Sequence, residues 1–424
     1  MTDTVDQRHN KGTEHSDHAY TVTPMTLADG RELIYFDDSP EVLRGTVSRL
    51  LTDSRPLTEA ITESEIRQDP LSGEWVAYAS HRMNRTFMPP AHADPLAPTT
   101  PGQEPTEIPS PDYDVVVFEN RFPSFSMHTA GTPTPQGSGH SMSDRAPGHA
   151  DSENTQAKEA GGAFTFDALD HGMVPRRPAR ARCEVICFTP DIDRSFKDLP
   201  VGRIRTVIEA WAHRTEALSA IPDVQHVYPF ENRGEEIGVT LQHPHGQIYS
   251  YPEVPPRIQN IVESSKKYRH HHDRDLFDDF LTTELEEGTR IIARTDHFVV
   301  LVPAAAKWPL EVMVIPRRHV PDIAALTQRE RADLAPLLKK LYTAVDMFFD
   351  GVRRTPYIAS WNQAPTAQDA RDDVRLHLQM FSLMRSPNRL KYLAGSESGM
   401  GFWINDTTPE RIAKRFREIW GSQQ

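Results

Sequence analysis

The segment HPHGQIY, residues 243–249, combines residue types that can carry out chemistry on a phosphate group. His243, His245 and Gln247 stand two residues apart, so on a β-strand their side chains would lie on one face. A neutral imidazole nitrogen can attack phosphorus, and the covalent intermediate divides one difficult displacement into two easier ones. The spacing therefore predicts a strand that handles phosphate and carries a histidine nucleophile.

The residues between the histidines and glutamine bear on the same interpretation. Pro244 cannot donate to a sheet, so it belongs at a bulge, an edge or a strand end, and Gly246 is expected to permit close approach of a phosphate. An isolated pair of alternating histidines is more often a solvated or hydrogen-bonded face than a site. The surroundings favour a site, because the preceding FENRGEEIG offers Asn232 and Arg233 as amide and cationic groups.

The elements that must position this strand occur in the same order twice, which indicates two related halves. Each half is predicted to contain two strands, a helix and two more strands. The first half runs through DVVVFENRF, CEVICFTP, LPVGRIRTVIEAWAHRTEAL, HVYPFENRG and LQHPHGQIYS, and the second through HFVVLVP, LEVMVIPRRHV, TQRERADLAPLLKKLYTAVDMFF, YIASWNQAP and VRLHLQMFS. We predict an α+β fold in which each half is a mainly antiparallel sheet with its helix on one face, and in which the two sheets pair.

Three segments lack these patterns. Residues 1–20 are polar, and residues 89–112 are so rich in proline that they are predicted to be a surface loop. Residues 128–182 are dominated by small and polar side chains and are predicted to be a largely disordered insertion. As an alternative, the end of this insertion forms a lid in which Arg176, Arg177 and Arg180 meet phosphate.

Composition excludes several classes of protein. The 424 residues include 47 basic and 60 acidic side chains, and a net charge of 47 − 60 = −13 disfavours binding to nucleic acid or to an anionic membrane. No apolar run is long enough to span a membrane, and the polar start lacks the centre of a secretory signal. Cys183 and Cys187 are too far apart on one strand to form a disulfide. We expect a cytoplasmic protein.

Taken together, these motifs resemble the galactose-1-phosphate uridylyltransferases, a branch of the histidine triad superfamily. The resemblance covers most of residues 66–420 and rests on IRQDPLSGEWVAYASHRMNR, VFENRF, CEVICFTPD, FENRG, HPHGQIY, WPLEVMVIPRRHV and LKYLAGSES in the family's order. It implies two fused histidine-triad-like units, residues 66–260 and 261–424, behind an N-terminal tail and leading segment of residues 1–65.

The resemblance also implies roles for single residues. His245 matches the histidine that becomes uridylylated, and Gln247 matches the residue that contacts the transferring phosphoryl group. Relatives that hydrolyse their substrates usually carry a third histidine at this position, so Gln247, a poor proton shuttle, favours transfer to a sugar phosphate over transfer to water. The implied substrate-binding residues are Arg82, Arg85, Asn120, Arg121, Asn232, Thr240, His243, Lys391, Tyr392 and Glu397. The last three belong to a segment that approaches the sugar end of the substrate, with a partner subunit as one possible source.

The metal sites of the family look degraded here. The cysteine pair that would bind zinc is missing, and His243 is the one zinc ligand that remains. The positions of the iron ligands hold Ile261, Asn362, His377 and Gln379, so His377 is the one match. We predict no metal site and no cofactor requirement for the chemistry.

The resemblance implies a UDP-glucose:hexose-1-phosphate uridylyltransferase that works by ping-pong kinetics. Its substrates and products would be UDP-glucose, UDP-galactose, glucose 1-phosphate and galactose 1-phosphate, and the protein is expected to form a homodimer. Alternatives are a phosphorylase of the same superfamily, which uses inorganic phosphate as acceptor, and a nonenzymatic nucleotide-binding module. The hexose preference stays open, because the family's late glutamine falls near Trp403 or Ile404.

Overall fold

The computed structural model describes residues 18–59, 64–84, 89–90, 93–127, 165–166 and 173–423. The strands are β1 (Thr21–Thr26), β2 (Glu32–Asp37), β3 (Glu65–Gln68), β4 (Trp75–Tyr78), β5 (Val115–Glu119), β6 (Thr165–Phe166), β7 (Pro175–Pro178), β8 (Cys183–Cys187), β9 (His226–Arg233), β10 (His245–Tyr251), β11 (Ile291–Arg294), β12 (Phe298–Leu301), β13 (Leu310–Pro316), β14 (Tyr357–Asn362), β15 (His377–Ser382), β16 (Met384–Ser386) and β17 (Arg389–Leu390). The α-helices are α1 (Pro40–Leu43), α2 (Val201–Ser219), α3 (Pro256–His272), α4 (Leu276–Glu287), α5 (Gln328–Asp346), α6 (Gly395–Met400) and α7 (Pro409–Ser422).

The main sheet contains strands from both halves of the chain. Its order is β1-β2-β5-β8-β10-β9-β14-β15-β13-β12-β11, and all neighbouring strands are antiparallel. The halves meet where β9 pairs with β14, with Arg233 opposite Tyr357 and Phe230 opposite Ser360. The order 5-8-10-9 in the first half is mirrored by 14-15-13-12 in the second. The predicted α+β fold with two paired sheets is therefore confirmed.

The long helices α2 and α5 pack against each other beside this sheet. Helix α5 begins with a capping box in which Thr327 and Glu330 bond each other's backbone N–H groups. A buried aromatic cluster joins the helices to the strands: the ring of Phe196 stacks on Tyr342 of α5 at 4.3 Å, and Trp211 of α2 meets Trp361 of β14 at 6.1 Å. Because these rings come from both halves, one core holds the halves together. Among the helices described, none is long and apolar enough to cross a membrane.

The leading segment is more than a tail. Residues 21–37 form the hairpin β1–β2, and β2 pairs with β5 to extend the main sheet. Buried Tyr35 and Phe36 anchor the hairpin to both faces of the sheet. The predicted leading segment of residues 1–65 therefore contains a hairpin that the sequence patterns did not predict, and residues 1–17 lie outside the described part of the chain.

The predicted insertion ends earlier than expected. Residues 128–164 and 167–172 lie outside the described residues, but 175–178 form strand β7 in a smaller sheet of order β4-β3-β7-β6. In β7, Arg177 contacts the carbonyl of Pro252 at 3.1 Å and the carboxylate of Glu253. Arg180 pairs with Asp223 at 2.9 Å. Residues 173–182 are thus an ordered part of the fold, and these two arginines have protein partners.

Residues 93–112 are less exposed than their proline content predicts. They contain no strand, but Asp94, Leu96 and Ile108 are buried against the main sheet. The prediction of a surface loop was wrong here, because composition reports the absence of a regular backbone and not the absence of burial. Through this packing, the segment places the carboxylate of Asp94 beside His243.

Candidate active site

The polar stripe on β10 begins at His245. Burial alternates along the strand: His245, Gln247 and Tyr249 are partly exposed, whereas Gly246 and Ile248 are buried. His243 precedes the strand, so the predicted stripe of 243, 245 and 247 was wrong by one step. Pro244 explains the shift, since it lacks the N–H group that would continue the ladder.

The imidazole of His245 is oriented by the backbone of His243, two residues earlier. Its Nδ1 lies 2.7 Å from the carbonyl oxygen of His243. A carbonyl oxygen can only accept, so Nδ1 carries the proton and Nε2 keeps its lone pair. Burial lowers the pKa of His245 below the ordinary value of 6.5, which keeps the ring neutral at pH 7. His245 thus has the tautomer and the protonation state of a nucleophile.

The His245 side chain borders a cavity of about 330 Å³. Apolar and aromatic side chains supply much of its wall, and a few polar groups converge on it, which is typical of small-molecule sites. The predicted residues that the structure brings together around this cavity are Arg82, Asn120, Arg121, Asn232, Thr240, His245 and Gln247. Residues that sequence reasoning did not single out include Leu96, Glu107, Phe118, Phe122, Phe230 and Tyr249.

Arginines place positive charge on the cavity wall. Arg82 lies on the 3₁₀ turn Ser80–Asn84 and donates to the hydroxyl groups of Ser124 and Tyr249, the latter at 3.1 Å. Arg121 lies 3.5 Å from the carboxylate of Glu107. Guanidinium groups suit phosphate oxygens, so the cavity can hold an anionic ligand despite the negative charge of the whole chain.

His243 has a role different from the predicted substrate contact. Its side chain is buried, Nδ1 lies 2.6 Å from Asp94, and Nε2 lies 2.8 Å from both the Tyr113 hydroxyl group and the Thr189 carbonyl oxygen. Because both ring nitrogens are engaged by protein groups, His243 is not free to bind a substrate, and that prediction was wrong.

The late segment does not reach the cavity of its own chain. Lys391 is buried, and its ammonium group donates to the carbonyl oxygens of Lys307, at 2.9 Å, and Ile404. Its other neighbour is the carboxylate of Glu397 at 3.5 Å. Lys391 and Glu397 thus have partners within their own chain, whereas Tyr392 is 76% exposed. Substrate binding by these three residues stays a prediction. Arg85 lies outside the described residues.

The residues at the family's metal positions do not fit a metal ion. The Asp94 carboxylate and the Tyr113 hydroxyl group engage the two ring nitrogens of His243. In the second half, Nδ1 of His377 bonds the carbonyl oxygen of Arg375 at 2.8 Å, and Gln379 bridges Arg257 and Glu311. A guanidinium group at this point opposes a second cation. Within the described residues, no group of three or more histidine, cysteine, aspartate or glutamate side chains is placed to hold a metal.

Some of the missed residues had a signal in the sequence. Tyr249 continues the period of two from His245, and Phe118 and Phe230 belong to the two FEN motifs. Asp94 had none, because it lies in an irregular segment far from His243 in sequence and only the fold brings the two together.

Comparisons with known proteins agree with this geometry. The family described as galactose-1-phosphate uridyl transferase matches through its N-terminal domain at residues 54–255 and its C-terminal domain at residues 261–422. The galactose-1-phosphate uridylyltransferase of Streptomyces lividans is 38% identical over 94% of this chain and 97% of its own length. The one from Thermotoga maritima is 30% identical over 84% of this chain and 98% of its own length.

Solved structures give the same result. A uridylyltransferase superposes with a TM-score of 0.68 and 29% identity, covering 85% of this chain and 99% of that chain. An ADP-glucose phosphorylase from Arabidopsis thaliana, at 19% identity and a TM-score of 0.57 over 84% of this chain and 98% of that chain, shares the fold. The two domain matches span most of the sequence, and the chain therefore belongs to the galactose-1-phosphate uridylyltransferase family.

Proposed function

We propose that the protein transfers the uridylyl group of UDP-glucose to galactose 1-phosphate through a covalent intermediate on His245. The observation that carries the proposal is the orientation of this ring: Nδ1–H is fixed by a carbonyl oxygen, and Nε2 has no hydrogen-bond partner among the described residues. The His245 side chain borders the cavity with Arg82 and Gln247. This arrangement supports a nucleophile aimed at bound phosphate.

The reaction divides into two displacements. The Nε2 lone pair attacks the α-phosphorus of UDP-glucose, the bond from that phosphorus to the bridging oxygen breaks, and glucose 1-phosphate leaves with the electron pair. A phosphate oxygen of galactose 1-phosphate then attacks the same phosphorus, the P–N bond breaks, and UDP-galactose forms. The Gln247 amide group can donate to a nonbridging oxygen in both steps, and Arg82 supplies positive charge. Neither step needs a cofactor.

His245→Ala tests this proposal. The variant lacks the attacking atom but loses no core contact, so exchange between UDP-glucose and labelled glucose 1-phosphate should fall by roughly 10³-fold or more at an unchanged melting temperature. His270→Ala, at an exposed position of α3, is the matched control and should keep full activity. Exchange by His245→Ala within tenfold of wild type would refute a nucleophilic role. Faster turnover with inorganic phosphate than with galactose 1-phosphate would favour a phosphorylase.

We infer that the active protein is a homodimer. An exposed apolar surface, which we call the late surface, is formed by Tyr392, Leu393, Met400, Phe402 and Ile404, with Met400 82% and Phe402 73% exposed. Apolar patches of this kind are commonly covered by another protein surface. If a second copy covers the late surface, Tyr392 of one chain can lie close to the cavity of the other chain.

Light scattering tests the dimer. The wild-type protein should have twice the 48.0 kDa mass of one chain, and Phe402→Glu should shift it toward the monomer because a buried unpaired charge is unfavourable. Leu71→Glu places the same charge on a leucine that is 95% exposed elsewhere and should leave the mass unchanged. A monomeric wild-type protein with full activity would contradict the inference.

A further inference from the structure

The two halves of the sheet provide an internal comparison for His245. It opens β10, and its counterpart His377 opens β15. In both, Nδ1 bonds the carbonyl oxygen of the residue two positions earlier, at 2.7 Å to His243 and at 2.8 Å to Arg375. The repeated unit therefore orients this imidazole through the backbone of residue i−2.

The residue at i−2 is itself anchored in an equivalent way in each half. Strand register places Val185 opposite Gln247 and Met313 opposite Gln379, so Thr189 and Arg317 occupy matching positions beyond the ends of β8 and β13. The carbonyl oxygen of Thr189 lies 2.8 Å from Nε2 of His243.

The second half repeats this contact with a different side chain. The carbonyl oxygen of Arg317 accepts from the Arg375 guanidinium group at 3.4 Å. Each anchor also meets acidic side chains: Asp94 for His243, and Asp278 with the more distant Asp275, at 4.0 Å, for Arg375. His243 and Arg375 are chemically different, yet each contacts a backbone carbonyl oxygen and an aspartate. This recurrence indicates that residue i−2 must be held in place in both halves.

We propose that Asp94, assisted by Tyr113, is a positioning residue for the uridylyl transfer that we assign to His245. Asp94 accepts from Nδ1 of His243 at 2.6 Å, and the Tyr113 hydroxyl group lies 2.8 Å from Nε2 of the same ring. All three side chains are buried. Together they fix the His243 ring and hence the carbonyl group that holds Nδ1–H of His245. Neither Asp94 nor Tyr113 touches the reacting phosphorus in this account.

The chemistry of a carboxylate explains why an acid is needed. A carboxylate only accepts hydrogen bonds, so opposite it the adjacent nitrogen of His243 must be the donor, and the ring cannot turn over. A buried charge-assisted hydrogen bond also resists displacement better than a neutral one. An amide at position 94 presents both a donor and an acceptor, which lets the His243 ring flip and its carbonyl group shift. The alignment of His245 then loosens, and a small misplacement of a reacting group slows the reaction.

The positioning role rests on the proposed function of His245. Asp94→Asn is its first test. The kcat for uridylyl exchange should fall roughly 10- to 100-fold, the range typical of groups that orient a functional histidine, while the KM for UDP-glucose stays within about twofold. Asp278→Asn makes the same change at the anchor of the half without the nucleophile and should leave both constants unchanged. If Asp94→Asn does not fold, Tyr113→Phe removes only a hydroxyl group and should lower kcat in the same sense.

Nitrogen-15 NMR of the His245 ring gives a readout that does not depend on turnover. The wild-type protein should show the single tautomer protonated at Nδ1, and Asp94→Asn should show a mixture of tautomers. If the wild-type protein has no transferase activity but Asp94→Asn still converts the single His245 tautomer into a mixture, the proposed function is refuted and the positioning role of Asp94 is supported. The positioning role would be overturned if a folded Asp94→Asn variant kept kcat within threefold of wild type. It would also be overturned if Asp278→Asn lowered kcat as much as Asp94→Asn does.

Discussion

At the scale of single residues, the state of His245 depends on its burial. The site is partly closed from water, and desolvation of the imidazolium form lowers the pKa of His245 below 6.5. A lowered pKa means that the neutral, nucleophilic ring persists as the pH falls through 6.5. The Nδ1 contact with a backbone carbonyl works in the opposite direction but is the smaller effect. His245 is therefore available for attack throughout the neutral range.

This state predicts the pH dependence of the first half reaction. The single-turnover rate of uridylyl-protein formation from UDP-glucose should be level near pH 8 and should fall with a midpoint below pH 6.5. UDP-glucose suits the measurement because its diphosphate diester does not ionise in this range, whereas a sugar monophosphate does. Rapid quench experiments with labelled UDP-glucose would supply the rates. A midpoint at or above pH 6.5 would contradict the account.

Local spacing predicted the part of the site that lies on one strand or in one motif. His245 and Gln247 follow from a period of two, and Asn120 and Asn232 from the repeated FEN motif. Asp94 could not be predicted in this way, because its contact with His243 depends on how a proline-rich segment packs. Lys391 was predicted to bind substrate, and only the fold shows its ammonium group enclosed by backbone carbonyl groups.

Among the elements, β10 requires a small residue where neighbouring strands and side chains pack against it. Gly246 was expected to make room for a phosphate, but the structure shows a different reason for a glycine. A Cβ atom there would lie 2.9 Å from the Phe188 ring and 2.9 Å from the backbone oxygen of Phe230. The glycine thus lets β10 fit between its neighbours, and the close approach of a ligand stays a prediction.

Gly246→Ala should therefore destabilise the protein. The added methyl group must displace a ring and a neighbouring strand, at a cost of about 1–3 kcal/mol in the free energy of unfolding. Gly202→Ala in α2 is the matched control, because a Cβ atom there meets nothing within 4 Å. Alanine favours a helix more than glycine, so the control should be neutral or more stable by up to ~1 kcal/mol. Urea unfolding measures both, and equal stabilities of the two variants would refute the packing argument.

The strands and helices of the repeated unit followed from periodicity, since their core positions recur at regular intervals. The hairpin β1–β2 was missed because an edge pair is defined by its pairing with β5 and not by its own pattern. The end of the insertion was placed too late for the same reason: Pro175–Pro178 contains two prolines and becomes a strand through its contacts with β3.

In the whole molecule, two units with the same strand order form one continuous sheet, and the proposed nucleophile lies in the first of them. The half that contains His245 opens onto a cavity, whereas His377 is buried and its pKa is lowered to about 4. Near His377, Arg257 and Glu311 are bridged by Gln379. The second half thus keeps the geometry of the unit and uses its polar residues for internal contacts.

This distribution of contacts predicts that the fold and the activity do not depend on a bound metal. Treatment with a strong chelator should leave the exchange rate within about twofold and the melting temperature unchanged, since hydrogen bonds already satisfy His243 and Gln379. Elemental analysis of the same sample would quantify zinc and iron. One tightly held equivalent whose removal abolishes activity would contradict this prediction.

Direct detection of the intermediate is the best test of whether His245 carries the uridylyl group. The protein is incubated with UDP-glucose labelled in the uridine, without an acceptor, and the protein-bound label is located by peptide mass spectrometry. We expect up to one uridylyl group per chain, attached to His245, stable in alkali, labile in acid, and discharged by galactose 1-phosphate. An active protein that never retains the label, or that retains it on another residue, would contradict this role of His245.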